Sequence, residues 1–249
     1  MQRCVLYALL LSLFACRIYA QGGPPLITDD PGTPERGHWE INLAFTYAQT
    51  QHESDVNSPF ADVNYGVLDN LKVSVQIPWE STVSSDTGHH PSGLGGSLVG
   101  VKWRFLEEEK NKVSISIYPQ LDFGWHSFKF SHDNESNQTH LLLPFEVAKK
   151  LGPIVTGFEY GIDLQNAHKP KDFAGVTLGH EFKERFEVLG EVRETSDQTL
   201  RQLNWIVNGG FSIKINKAIS ILGSVGTTIK RADKDQPRLF SYFGIQFRF

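Results

Sequence analysis

The chain has 249 residues, a formal net charge of −4 and a 40% hydrophobic composition, enough for one large all-β domain. The mild acidity and the lack of any basic stripe exclude a nucleic-acid partner. After the N-terminal leader no apolar run reaches the roughly 20 residues that a membrane helix needs, so any membrane passage must be made by strands.

Residues 1–20 read as a secretory signal peptide: Arg3 supplies positive charge, Val5–Phe14 is apolar, and Ile18-Tyr19-Ala20 precedes a cleavage point. Cys4 and Cys16 both fall inside it, which would leave the mature chain without thiols for disulfides or metal. The alternative is a lipoprotein cut before Cys16, because Leu13-Phe14-Ala15-Cys16 faintly resembles a lipobox. On either reading the chain is exported. Residues 21–37, with Pro24, Pro25, Pro31 and Pro34, are expected to form a flexible periplasmic N-terminal segment. The alternative is that this segment enters a barrel mouth as a plug.

From 38 to 249 the apolar residues alternate with period two and never adopt a helical period. Twelve alternating sets begin at Trp39, Ala61, Leu71, Val99, Val113, Leu141, Ile154, Ala174, Phe186, Leu203, Ile219 and Leu239. Short links are expected near Asp69, Glu108, Lys150, Glu184 and Lys217, and longer ones near Asp55, Thr87, His132, His168, Gln198 and Lys234. Short periplasmic turns alternating with long external loops mark bacterial membrane barrels, and they put both termini on the periplasmic side.

The apolar face separates a membrane barrel from a soluble one. On it only His180 and Glu194 are polar ionisable residues, both near strand ends; a basic group at mid-bilayer costs about 2–4 kcal/mol, less toward the interface. Aromatic residues also gather at strand ends. Trp39, Trp103, Phe105, Phe145, Phe182, Phe186 and Phe249 suit a periplasmic girdle, and Tyr47, Trp79, Phe123, Tyr160 and Trp205 an outer one. The expected fold is therefore all-β, a closed antiparallel transmembrane β-barrel of about 12 strands over residues 38–249 in the bacterial outer membrane. Closure follows because an open edge in lipid would leave amides unpaired.

The opposite face is polar and lines the interior. Acids Asp122, Glu146, Glu159, Asp163, Glu181, Glu187 and Glu191 lie on the fifth to ninth strands, with Arg193 among them. Lys72, Lys102 and Arg104 lie on the third and fourth, and Lys214 and Arg248 follow later. Lys72, Lys102 and Arg104 facing Glu159, Glu187 and Glu191 across a narrow lumen predict a pore for small solutes. The alternatives are a plugged interior in which these groups pair, a structural or adhesive barrel, and, more remotely, a membrane-barrel hydrolase. No Gly-x-Ser-x-Gly elbow is present, and Ser127 beside His126 makes no triad by adjacency. No catalytic residue, cofactor or metal is expected; the external-loop histidines would need to converge to hold an ion. Phe243, Ile245, Phe247 and the terminal Phe249 alternate as an assembly signal for the outer-membrane barrel assembly machinery. Pro119 and Pro144, on adjacent strands, mark where ladder bonds lapse and a lateral opening in the wall is conceivable.

Several segments resemble the outer-membrane transporter family named after the meta-cleavage pathway of phenol degradation. They are Thr28-Asp29-Asp30-Pro31, Gly37-His38-Trp39-Glu40, Asp62-Val63-Asn64-Tyr65-Gly66, Pro78-Trp79, Gly100-Val101-Lys102-Trp103-Arg104-Phe105 and Leu142-Leu143-Pro144-Phe145-Glu146. Gly93-Leu94-Gly95-Gly96 departs from that family's pattern, in which an acid often follows Gly-Leu-Gly. The resemblance implies a barrel that aids uptake of aromatic or other hydrophobic compounds, and it implies no catalytic residue.

Overall fold

The computed structural model describes residues 23–84, 90–124, 139–165, 170–182, 185–197, 203–230 and 236–249. The alternating sets become β1 (Trp39–Gln49), β2 (Glu53–Leu68), β3 (Leu71–Ser84), β4 (Ser92–Leu94), β5 (Ser97–Leu106), β6 (Ser114–Ile117) and β7 (Gln120–Phe123). The series continues with β8 (Thr139–Leu151), β9 (Ile154–Gln165), β10 (Lys171–Phe182), β11 (Phe186–Asp197), β12 (Leu203–Lys214), β13 (Ile219–Lys230) and β14 (Leu239–Arg248). β4 and β5 run in line along β3, and β6 and β7 run in line between β5 and β8. The fourteen segments thus make twelve antiparallel crossings.

The sheet has no free edge. β1 pairs with β14 from Glu40↔Arg248 to Gln49↔Leu239. The Trp39 amide donates to the Phe249 carbonyl (2.7 Å), and the Phe249 amide donates back to Trp39 (3.1 Å). Closure gives the amides of the edge strands ladder partners, as a bilayer requires. Burial is inverted relative to a soluble domain: Leu178 and Val225 are each 57% exposed, whereas Asn42, Lys102 and Glu146 have no exposed surface. Alternation within each strand puts these two classes on opposite sides of one wall. Such an apolar belt requires lipid around it, and the protein is a transmembrane β-barrel.

One expectation about the connections changes. The first outer link is no long loop near Asp55: the chain turns at residues 50–52, where the Thr50 amide donates to Glu53 (2.9 Å), and Asp55 lies in β2 opposite Ala48. Polar strand residues there keep their ladder partners past the apolar belt. The outer links near Thr87, His132, His168, Gln198 and Lys234, like the leader, lie outside the described residues. At the other end the links are short, including the turn at Asp69 and a helical turn α1 (Glu108–Asn111).

The regular strand lapses at Tyr118-Pro119, between β6 and β7, but backbone bonds still bridge the wall at both prolines. The Val101 amide donates to Pro119 and the Tyr118 amide to Pro144, each at 3.0 Å, so carbonyl acceptance carries the ladder through residues that cannot donate.

The largest correction concerns residues 23–37. They do not hang as a flexible periplasmic tail; they run inside the barrel. Leu26 is 6% exposed, Asp30 6% and Thr28 not at all. Prolines remove amide donors from this segment and fix its backbone, which suits a chain that must lie in a lumen without a ladder of its own.

Two outcomes follow from this architecture. Val176, mid-strand on β10 and 50% exposed, tolerates no charge: Val176→Arg destabilises the folded barrel by about 2–4 kcal/mol in denaturant titrations in lipid vesicles. Deleting Phe249 removes both closing hydrogen bonds of the β1–β14 seam, and folded protein in outer-membrane fractions should fall sharply. Normal membrane levels of that deletion would show that the seam does not need it.

Candidate functional site

Much of the interior is packed. Besides polar groups it carries Tyr118 (2% exposed), Phe173, Leu189 and Leu222 (1%), side chains that a water-filled passage would leave hydrated. Glycines admit the N-terminal segment closely. A Cβ at Gly175 of β10 would collide with the Thr28 side chain, and one at Gly66 of β2 with the Pro34 and Glu35 carbonyls.

Two charged side chains of the wall grip the segment. The Glu191 carboxylate on β11 accepts the backbone amides of Thr28 (2.5 Å) and Ile27 (3.1 Å), together with the Asn208 amide (3.1 Å). Across the lumen, Lys102 on β5 pairs with Asp29 and with Glu146 of β8, each at 3.0 Å, and also donates to the Asp30 carbonyl. Ser116 donates to Glu146 (2.5 Å), completing that cluster.

Further contacts run along the segment. Arg193 pairs with Glu159, donates to the Thr28 hydroxyl (3.4 Å) and stacks over the Phe173 ring (4.6 Å). Ser224 donates to the Pro25 carbonyl (2.6 Å), and the Thr33 hydroxyl to that of Asp69 (2.8 Å). A buried ion is tolerated only when paired and hydrogen-bonded; removing one partner of such a pair costs about 3–5 kcal/mol. The segment is therefore a fitted plug with several latches.

Asp29 shows the balance of forces. Burial pushes its carboxyl up, but the Lys102 and Lys72 ammoniums and the Asp30 amide pull it further down, so it lies below the usual carboxylate range. Its stabilising contribution is present above the ordinary carboxylate pKa and is lost as pH falls through the lowered value.

The residues expected to line an open path take three places. Lys102, Glu146, Glu159, Glu191 and Arg193 converge on the plug. Lys72 is 8% exposed, with its ammonium 5.0 Å from the Tyr118 ring centre. Glu187 is buried against Gly179.

The others sit at the ends. Glu181 bridges Lys150 and Lys214, each at 3.1 Å, and Arg104 donates to the Asp69 carbonyl (2.8 Å) in the periplasmic turn. Asp163 contacts His140 (3.2 Å) and accepts from Gln165 (2.6 Å), and half-buried Asp122 faces His140 in register. The expected separation of a basic from an acidic wall across water gives way to pairing, because Asp29 and the wall carboxylates neutralise the bases locally. Sequence reasoning named none of Thr28, Asp29, Asp30 and Tyr118 as interior groups, although a plug was the alternative for residues 21–37 and Thr28-Asp29-Asp30-Pro31 carries a family resemblance despite lying outside any strand.

Beside the plug remains a cavity of about 280 Å³. It lies between residues 29–35 and the inner wall of β1, β2, β3 and β14, and reaches the periplasmic rim at Arg248 and Phe249. Glu40 and Arg248 pair across that rim at 2.9 Å. Among the described residues no group of three His, Asp or Glu side chains is arranged to hold a metal.

No protein-family model and no curated protein matches the sequence. Solved structures do match. The COG4313 outer membrane channel from Pseudomonas putida F1 superposes with a TM-score of 0.73 at 10% identity, over 92% of this chain and 100% of that one. A NanC porin gives 0.60 at 10% identity, over 83% of this chain and 98% of that one. The CymD monoaromatic hydrocarbon channel gives 0.51 at 8% identity, over 86% of this chain and 89% of that one. These likenesses establish the fold, a twelve-stranded β-barrel of the outer-membrane kind.

Proposed function

We propose that this protein is an outer-membrane channel for passive uptake of small solutes, aromatic or hydrophobic compounds among them, whose lumen is held closed at rest by residues 23–37. The carrying observation is that plug and wall meet through reversible contacts, hydrogen bonds and ion pairs, while a cavity persists beside the plug on the periplasmic side. Latches of this kind release without breaking the barrel, because the strand ladder runs independently of them.

The substrate class draws on two supports. Apolar side chains are packed in the interior at Phe173, Leu189 and Leu222, which a route for strongly hydrated ions does not need. The segments that resemble the phenol meta-pathway family also converge physically. Asp29 and Asp30 meet Lys102, which meets Glu146, and Gly66 makes room for Pro34 and Glu35. Four of those segments are thus one structural unit, the plug and its seat, and membership of that transporter family is part of this proposal.

A structural barrel is the competing reading, favoured by the burial of the Lys102 cluster. Single-channel recording in planar bilayers separates the two. The wild type should show small or infrequent openings, whereas Gly175→Val, which displaces Thr28, should raise open probability or conductance several-fold. A folded Gly175→Val barrel that conducts no better than a silent wild type would support a purely structural role.

A further inference from the structure

Lys72 stands apart from the other interior charges. It lies on β3, 8% exposed, and lines the periplasmic cavity. Among the described residues it is the one buried charged side chain of that lining with neither a hydrogen bond nor an ion pair; its contact is with the face of Tyr118 at 5.0 Å. The acids whose charge it feels are engaged elsewhere, Asp29 by Lys102 and Asp62 by the Asn42 amide (2.9 Å). Tyr118 holds it from one side and uses its hydroxyl on Ser74 (2.5 Å). An ammonium has three donors, and here they face the cavity without a protein acceptor. A cation–π contact supplies only part of what is lost, about 0.5–2 kcal/mol.

We propose that the cavity is a binding site for a small monocarboxylate, whose carboxylate is received by the Lys72 ammonium, with the wall amides Asn64 and Gln246 beside it. The size fits: the cavity, about 280 Å³, is near the lower bound of roughly 300 Å³ for small-molecule sites. Charge limits the ligand to a single negative group. Lys72 offers an ammonium with no ion-pair or hydrogen-bond partner, and Asp29, Asp30, Glu35, Glu40 and Asp62 on the same lining disfavour any negative charge beyond the one it receives. A neutral solute without a strong acceptor would leave the ammonium donors without a hydrogen-bonded partner. The site deepens the channel reading by naming a solute class that reaches the periplasmic end of the lumen, and it rests on that reading for its physiological sense but not for its existence.

The test is calorimetric titration of the full refolded barrel with benzoate and with its neutral isostere benzamide, run beside the conductance recordings. Benzoate should bind at least about tenfold more tightly than benzamide, the gain expected from charge-assisted hydrogen bonds. Lys72→Gln should reduce benzoate to the level of benzamide, and Lys72→Arg should keep most of the preference, with folding of each variant checked by its heat-modifiable gel mobility. Equal affinity for the two probes, no binding of benzoate by the folded wild type, or undiminished binding by folded Lys72→Gln would overturn the site. If Lys72→Gln does not fold, the probe pair and Lys72→Arg still decide. Binding in a barrel that never conducts upholds the site and removes the channel; conduction without binding does the reverse.

Discussion

An ammonium with no exposed surface can exist in a barrel only if something brings negative charge to it, and Lys102 is that group here. It joins Glu146 of the wall to Asp29 and the Asp30 carbonyl of the N-terminal segment. Burying either partner alone would cost several kcal/mol. The wall therefore needs the plug as much as the plug needs the wall. Glu191 repeats the arrangement with opposite sign on the far side, where backbone amides replace a counter-ion.

This mutual dependence explains why a segment of prolines and glycines is ordered. In isolation it has no strand ladder and little apolar surface, and the entropy of fixing it would exceed its own contacts. Inside the barrel it meets pre-set donors and acceptors on a rigid wall, and two glycines, Gly66 and Gly175, let its backbone and Thr28 approach. The barrel in turn avoids a lumen whose polar side chains must find partners in a narrow space. Twelve strands leave an interior between the filled cores of small barrels and the channels of porins, and the short segment fits within it beside the remaining cavity.

The strands were legible because alternation, a chargeless outer face and aromatic girdles are local signals with a single physical cause, the bilayer. The twelve crossings, the closed seam and the side on which Lys102, Glu146 and Glu191 lie all follow from period two. The plug was not legible in the same way. Its Pro content reads as disorder when only local propensity is considered, and its contacts, Thr28 to Glu191 or Pro25 to Ser224, span well over a hundred residues. The pairing of the lumen charges was not legible, since a sequence shows which side a charge takes and not what stands opposite it. The outer turn at residues 50–52 misled for a related reason: Asp55 and Asn57 look like loop residues, yet they pair in a strand that extends beyond the lipid.

The measurement closest to the central claim is native-state amide hydrogen exchange of residues 26–33 in the folded wild-type barrel. If residues 23–37 are the seated plug described above, the Ile27 and Thr28 amides, held by Glu191, exchange as slowly as neighbouring strand amides of β11. Exchange of those two amides at the rate of a free peptide would contradict a clamped plug and return the lumen to an open path.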